Sequence, residues 1–374
     1  MVVQLNNIVV MRTKFFLLFF AIFFGCNGEN QVNMIVKFHP KAKSEFLNYV
    51  DSIRLIPLIV DSNIVFGPEP SLSYYKDELF LFDKNGSSKI FRFTCQGKLL
   101  GVIGQRGRGP KEYFNPTNIQ LYNDTIYIYS SPKITISKYA LNGKFIEKDS
   151  ILVDSQQSLK NGDEYIGYNG YGMRNYHKFV KVKNNHVTYF QKYTCNVMNF
   201  TEKTNVFYTD INNNIFVRET YSNKIFKYSN GSFIDYMIID FDKYNINSKF
   251  FKYDNSFESA EFLLKSEFAS ITKYFENSNH KVIEVLINKR NPEFYYGIFL
   301  KNINKWIWFS MGNFNEHPFA NTLIEIYDNK LIFLLDPTLK EFLDSYEINK
   351  ISNYTSFTHN KDCMYLAVFY LNEK

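Results

Sequence analysis

The chain has 374 residues, 45% of them hydrophobic, so it can bury a sizeable core, and a prior of about 150 residues per domain would divide it into two or three units. Its formal charge of +6 comes from scattered lysines rather than a block, which favours acidic partners and gives no basic stripe of the kind that binds nucleic acid. Aromatic residues reach 18%, with 38 Phe and 28 Tyr, and such side chains suit pleated, half-buried strands. The expected class is all-β, and an all-β repeat fold can hold this length in one domain.

Residues 1–26 read as an export signal. Arg12 and Lys14 precede the apolar run Phe15 to Phe24, which is shorter than the roughly 20 residues a membrane-spanning helix needs. Met11 is a plausible true start, because the ten residues before it only displace the charged region. The run ends in Phe23-Phe24-Gly25-Cys26, similar to a relaxed bacterial lipobox, which makes Cys26 the expected lipid-attachment residue. A plain secretory signal with an incidental cysteine is the alternative. Cys95, Cys195 and Cys363 are widely spaced and odd in number, so free thiols are expected rather than a disulfide framework or a zinc site.

Residues 27–50 are polar and irregular and read as a tether, leaving 51–374 for the fold. The first strand-like run, Ser52 to Ile59, contains Pro57, which suits an edge position. Beyond it the chain repeats itself. Leu79 to Asp83, Ile90 to Phe93 and a Gly97-Lys98 turn are echoed by Ile126 to Ser130, Ile134 to Tyr139 and Gly143-Lys144, with Ile126 following Leu79 by 47 residues. A degenerate unit with Glu164 to Gly167, Phe179 to Val182 and His186 to Phe190 comes next. Ile215 to Arg218, Ile225 to Tyr228 and Gly231 to Phe233 form the fourth unit. Lys281 to Ile287, Tyr295 to Leu300 and Lys305 to Phe309 form a fifth, and Leu323 to Tyr327, Lys330 to Leu335 and Met364 to Tyr370 the sixth. Four short antiparallel strands at such a period predict a β-propeller, here of six blades. The ring is expected to close by pairing the Ile53 to Ile59 run with Met364 to Tyr370. Ser256 to Phe268 breaks the rhythm; Phe257, Phe262, Leu264 and Phe268 suggest a short amphipathic helix inserted on one face.

The most distinctive stretch is Gly101 to Pro116, with four glycines, two prolines and the basic residues Arg106, Arg108 and Lys111. Gly104 to Gly109 has the spacing of a phosphate-binding loop, but Pro110-Lys111 follows where Lys-Ser/Thr is required. A crossover between blades, with glycines at positive φ, accounts for it better. This stretch, with Arg54-Leu-Ile-Pro-Leu58, Leu79 to Asp83, and the Arg-Gly-x-Gly-Pro-x-Glu-Tyr sequence ending at Tyr113, resembles the six-bladed β-propeller lipoproteins of Bacteroidetes and, more loosely, NHL-type repeats. The resemblance is crisp over the first two units only, and the junction between the second and third units lacks the Gly-rich motif. It implies an envelope propeller without an assigned biochemical role.

Candidate ligand contacts are Arg106, Arg108 and Lys111, whose charge at a loop rim suits carboxylate or phosphate, and Tyr168 and Tyr171 in an aromatic, Gly-containing stretch. Packing within a blade edge is the alternative for the tyrosines, and Trp306 and Trp308 are expected in the core. The six histidines show no metal-ligand spacing and no nucleophile elbow occurs, so no catalytic residue, metal or cofactor is expected. The expected function is a monomeric, non-enzymatic binding or scaffold propeller, lipid-anchored to the bacterial outer membrane on its periplasmic or surface side, with a protein or glycan partner and no nucleic acid. The alternative is an envelope lyase or glycoside hydrolase with its site at the central channel.

Overall fold

In the computed structural model, residues 34–39, 48–60, 70–131, 133–171, 176–193, 205–210, 212–253, 255–313, 322–335 and 364–372 are described, together with 46, 64, 66 and 67. Two N-terminal strands, β1 (Ile35–Lys37) and β2 (Val50–Pro57), precede the ring. Blade 1 holds β3 (Ser71–Tyr75), β4 (Glu78–Phe82), β5 (Ile90–Thr94) and β6 (Leu99–Ile103). Blade 2 holds β7 (Pro116–Tyr122), β8 (Thr125–Ser130), β9 (Lys133–Ala140) and β10 (Phe145–Asp154). Blade 3 holds β11 (Gln157–Asn161), β12 (Glu164–Tyr168), β13 (His177–Lys183) and β14 (His186–Lys192). Blade 4 holds β15 (Phe207–Thr209), β16 (Ile215–Arg218), β17 (Lys224–Ser229) and β18 (Ser232–Asp240). Blade 5 holds β19 (Phe268–Glu276), β20 (His280–Asn288), β21 (Glu293–Leu300) and β22 (Lys305–Asn313). Blade 6 holds β23 (Thr322–Tyr327), β24 (Lys330–Leu335), β25 (Tyr365–Leu371) and, as its outer strand, β2.

The architecture is therefore a six-bladed, all-β propeller. The ring closes as expected, with Ile53 opposite Phe369 and Leu55 opposite Ala367 in an antiparallel pair. The core lies between blades. Phe80, Phe82 and Ile90 of blade 1 pack on Ile126, Ile128 and Tyr139 of blade 2, and the other neighbours repeat this layer. Alternation alone would bury one face of each sheet, but a blade is covered on both sides, which is why β4, β16 and β24 read as near-continuous apolar runs. Trp308 is buried as expected; its partner across the ladder is Gly297, where a Cβ would come within 2.6 Å of the indole.

Of the residues expected as a tether, 27–50, those described (34–39, 46 and 48–50) pack on the ring instead. β1 adds in parallel to the outer edge of β18, Phe38 packs edge-on to Trp308, and Phe46, fully buried, stacks on Phe309 at 4.0 Å. A strap thus runs from blade 4, across the outer edge of blade 5, to β2 in blade 6. Its apolar anchors, Val36, Phe38 and Phe46, are too sparse to give a periodicity.

The inserted helix, α1 (Ser256–Lys265), is capped by the Asn255 side chain, which accepts from the Glu258 N–H at 2.8 Å. Its packed face differs from expectation. Leu263 and Phe262 pack against Phe250 and Tyr253, whereas Phe257 and Leu264 are each 86% exposed.

Strand direction alternates within each blade. All blade-to-blade connections, including the Gly-rich stretch and the segment carrying α1, therefore emerge on one face together with the second-to-third hairpins. The tight first-to-second turns emerge on the other.

Candidate functional site

The Gly-rich stretch is the connection from outer strand β6 to first strand β7, as expected. Its glycines serve two purposes. Gly104 has φ +63 and lies against Tyr139, whose ring a Cβ would approach within 2.7 Å. Gly107 and Gly109 have no positive φ; they make room for the Glu112 side chain, whose carboxylate accepts from the Gly109 N–H at 2.7 Å. The anion-binding concavity of this loop is thus filled by its own carboxylate. The Tyr139 hydroxyl donates to the Lys111 carbonyl at 2.6 Å, and the Lys148 ammonium donates to the Glu112 carbonyl at 2.7 Å. The loop is held from three sides.

Arg106, Arg108 and Lys111 project from it, all exposed, and none forms an ion pair with a described residue. The Arg108 guanidinium lies over the half-exposed Phe114 ring, 4.8 Å from its centroid. All three lie on this one connection. The second-to-third junction has no counterpart, because only Ser155 and Gln156 separate β10 from β11.

Tyr168 and Tyr171 do not join them. Tyr168 is fully buried and its hydroxyl pairs with the Thr220 hydroxyl at 3.0 Å; Tyr171 is 5% exposed and donates to Glu219 at 2.7 Å. Lys178 pairs with the same Glu219 and lies over the Tyr171 ring. Both tyrosines are interior supports of blade 3 rather than ligand contacts. Cys26, Cys195 and Cys363 lie outside the described residues, and Cys95 is a free thiol. Among the described residues no group of three or more His, Cys, Asp or Glu side chains is placed to hold a metal ion, and no helix is long and apolar enough to cross a membrane.

The second candidate site is the central channel, a cavity of about 640 Å³ bounded by the first strand of every blade. These strands have one unpaired edge, whose N–H and C=O groups need partners. Polar side chains of neighbouring strands supply them. Asn118 donates to the Ser158 carbonyl at 2.6 Å, and Gln120 both donates to the Lys160 carbonyl and accepts from its N–H at 2.8 Å. Gln157 accepts from the Val206 N–H at 3.0 Å, and Lys273 donates to the Leu323 carbonyl at 2.8 Å. Glu325 accepts from the N–H of Ile326 at 2.9 Å and from the backbone of Tyr74, which joins blade 6 to blade 1.

Asn118, Lys273 and Glu325 each follow a register shift in their own strand, between Pro116 and Asn118, Ile271 and Lys273, and Leu323 and Glu325. A bulge redirects the side chain after it, and here all three line the channel. Glu325 keeps some surface in the channel but is otherwise enclosed by protein, and burial pushes its pKa up to about 8. Lys273 is matched by the buried Glu284 at 3.2 Å, itself held by Thr272 and Tyr296. Sequence reasoning missed Glu325 and Lys273. They stand 52 residues apart in unremarkable strands, and only closure of the ring brings them to one channel.

A further buried group, Glu276, binds Lys281 at 2.8 Å, Lys301 at 3.1 Å and the hydroxyls of Tyr236 and Tyr274. Lys281 is pulled below the ordinary lysine range by desolvation and Glu276 is held low by its cations. Its partners satisfy one another, so this cluster fastens blade 4 to blade 5.

A crystal structure of a Bacteroides fragilis protein described as exported is similar over 91% of this chain and 100% of that one, with 16% identity and a TM-score of 0.70. A Bacteroides caccae protein of unknown function shares 12% identity over 59% of this chain and 72% of its own, at a TM-score of 0.35. Virginiamycin B lyase from Staphylococcus aureus shares 7% identity over 86% and 99%, at a TM-score of 0.40. The first likeness establishes the fold, and the other two carry nothing further. No curated protein matches the chain. Residues 30–356, from just before the strap to the last blade, match the profile described as Domain of unknown function (DUF4934), and the chain belongs to that family.

Proposed function

We propose that this protein is a non-enzymatic binding propeller of the cell envelope, exported and anchored to the outer membrane through a lipid on Cys26. It presents its long-connection face to a protein or glycan partner bearing carboxylate or phosphate groups. The observation that carries this reading is the β6–β7 loop. Its shape is fixed by Glu112, Tyr139 and Lys148, and its three cations are left exposed without described ion-pair partners. Such a preorganised array loses little side-chain and loop entropy on binding. The exposed Phe114, and Phe257 and Leu264 of α1 on the same face, add apolar surface.

The lipobox-like Phe23-Phe24-Gly25-Cys26 supports the anchor. Pull-down from detergent-solubilised envelope tests the reading. Arg106→Ala with Arg108→Ala should remove specific partners, and an unchanged partner list would return these residues to solvation. Cys26→Ala should release the protein from the membrane fraction.

A channel-centred hydrolase is the second reading. The observation favouring it is Glu325, whose raised pKa would suit a general acid. Turnover of aryl glycosides abolished by Glu325→Gln would support it.

A further inference from the structure

The channel's walls and charges define what it can hold. At about 640 Å³ it falls within the range of about 300–1,000 Å³ typical of small-ligand sites. Rings of Tyr74, Phe207, Tyr208 and Tyr327 line it, and Tyr74 and Tyr327 meet across the closure seam at 4.1 Å between centroids. Charged lining groups are matched locally. Lys76 pairs with Asp124, Lys273 with Glu284, and Asp210 is engaged by the turn N–H groups of Asn212 and Asn214. Burial keeps Glu325 protonated at neutral pH, and with its oxygens accepting two backbone N–H groups, its O–H is a neutral donor. Asn118 and Gln120 each use one of two amide hydrogens on the next strand, leaving the second.

What the described lining offers is therefore aromatic faces and uncharged donors and acceptors, with Lys76 and Lys273 each matched by a carboxylate. We propose that the central channel binds a neutral oligosaccharide or the end of a glycan chain. Sugar ring faces would lie against Tyr74 and Tyr327, with hydroxyls directed to Glu325, Asn118 and Gln120. This rests on the channel alone and is independent of the β6–β7 loop.

Titration calorimetry on the full-length protein in detergent tests it, using maltotriose, cellotriose and xylotriose as neutral probes and trigalacturonate as the anionic one. At least one neutral trisaccharide should bind saturably, and trigalacturonate should not. Tyr327→Ala, and Ser73→Trp to fill the channel, should each weaken binding about tenfold or more, with melting curves confirming that both variants fold. Glu325→Ala, which removes the donor, should weaken binding more than Glu325→Gln, which keeps one. Hydrolysis of a bound probe would equally support the site. The proposal is overturned by failure of all three neutral probes, by preference for trigalacturonate, or by binding that Ser73→Trp and Tyr327→Ala both leave intact.

Discussion

Glu325 ties protonation to stability at the scale of one side chain. Below the ordinary carboxyl value of 4.5 the group is protonated in both folded and unfolded chains and has no pH effect. Between 4.5 and about 8 the unfolded chain releases its proton while the folded one retains it, so stability falls as pH rises through that window and levels off above it. At about 1.4 kcal/mol per pKa unit the ceiling on this loss is roughly 5 kcal/mol, reduced by whatever water enters the channel. Tyr208 faces the same carboxyl and stays neutral throughout, its pKa being raised by burial, while Lys273 is engaged by Glu284. Urea unfolding at pH 5 and pH 8.5 should show wild type losing more stability than Glu325→Gln across this interval. Equal losses would mean that the carboxyl is ionised and hydrated in the folded state. Glycine substitutions in turns give a second contrast. Gly162 and Gly104 both have φ near +60, but only Gly104 faces a ring. Gly162→Ala should cost about 1 kcal/mol from the backbone alone, and Gly104→Ala about 2–3 kcal/mol because Tyr139 must also move. Thermal melts would distinguish the two.

Among the elements, the N-terminal strap differs most from its sequence. The first two blades were legible because their apolar runs and turn residues recur at an offset of about 47, the later ones by strand rhythm alone, and ring closure followed from the one strand-like run left before the first unit. The strap lacks both signals. β1 has three residues, its partner β18 is some 200 residues distant, and Phe46 follows Phe38 only after the stretch His39 to Glu45, which holds no large apolar side chain. For α1, spacing predicted the helix but not its buried face, because its contacts are set by the 3₁₀ turn Ser248–Lys252 rather than by its own periodicity. The channel was illegible for a different reason. Its polar residues answer the unpaired edges of strands that meet only in the closed ring, and bulges, which no local pattern announces, aim three of them. The strap reading makes a prediction of its own. Phe46→Ala should destabilise the protein by about 3–4 kcal/mol, although a loose tether would predict no change. Hydrogen exchange should then rise in β22 and β25, where Phe46 lies against Phe309 and near Phe369.

For the whole molecule, antiparallel alternation separates the two candidate sites by construction. The β6–β7 loop belongs to the face of blade-to-blade connections, whereas the channel cavity extends to the first-to-second turns, through Lys76, Asp210 and Asp328. The chemistry separates with the geometry: exposed cations without described ion-pair partners on one side, and locally matched groups with aromatic rings on the other. Sites that share no partner side chain should contribute additively. Arg106→Ala with Arg108→Ala should therefore weaken capture of the acidic partner and leave trisaccharide affinity within about twofold, while Ser73→Trp should do the reverse. The triple variant should show both losses at their single-site sizes. Rigid blades joined by polar stitches could also carry strain around the ring, and departure from additivity by more than about 0.5 kcal/mol would reveal it. In that case saccharide binding should also lower hydrogen exchange in the loop that carries Arg106, and additive variants with an unchanged loop would leave the propeller as a rigid frame holding two independent sites.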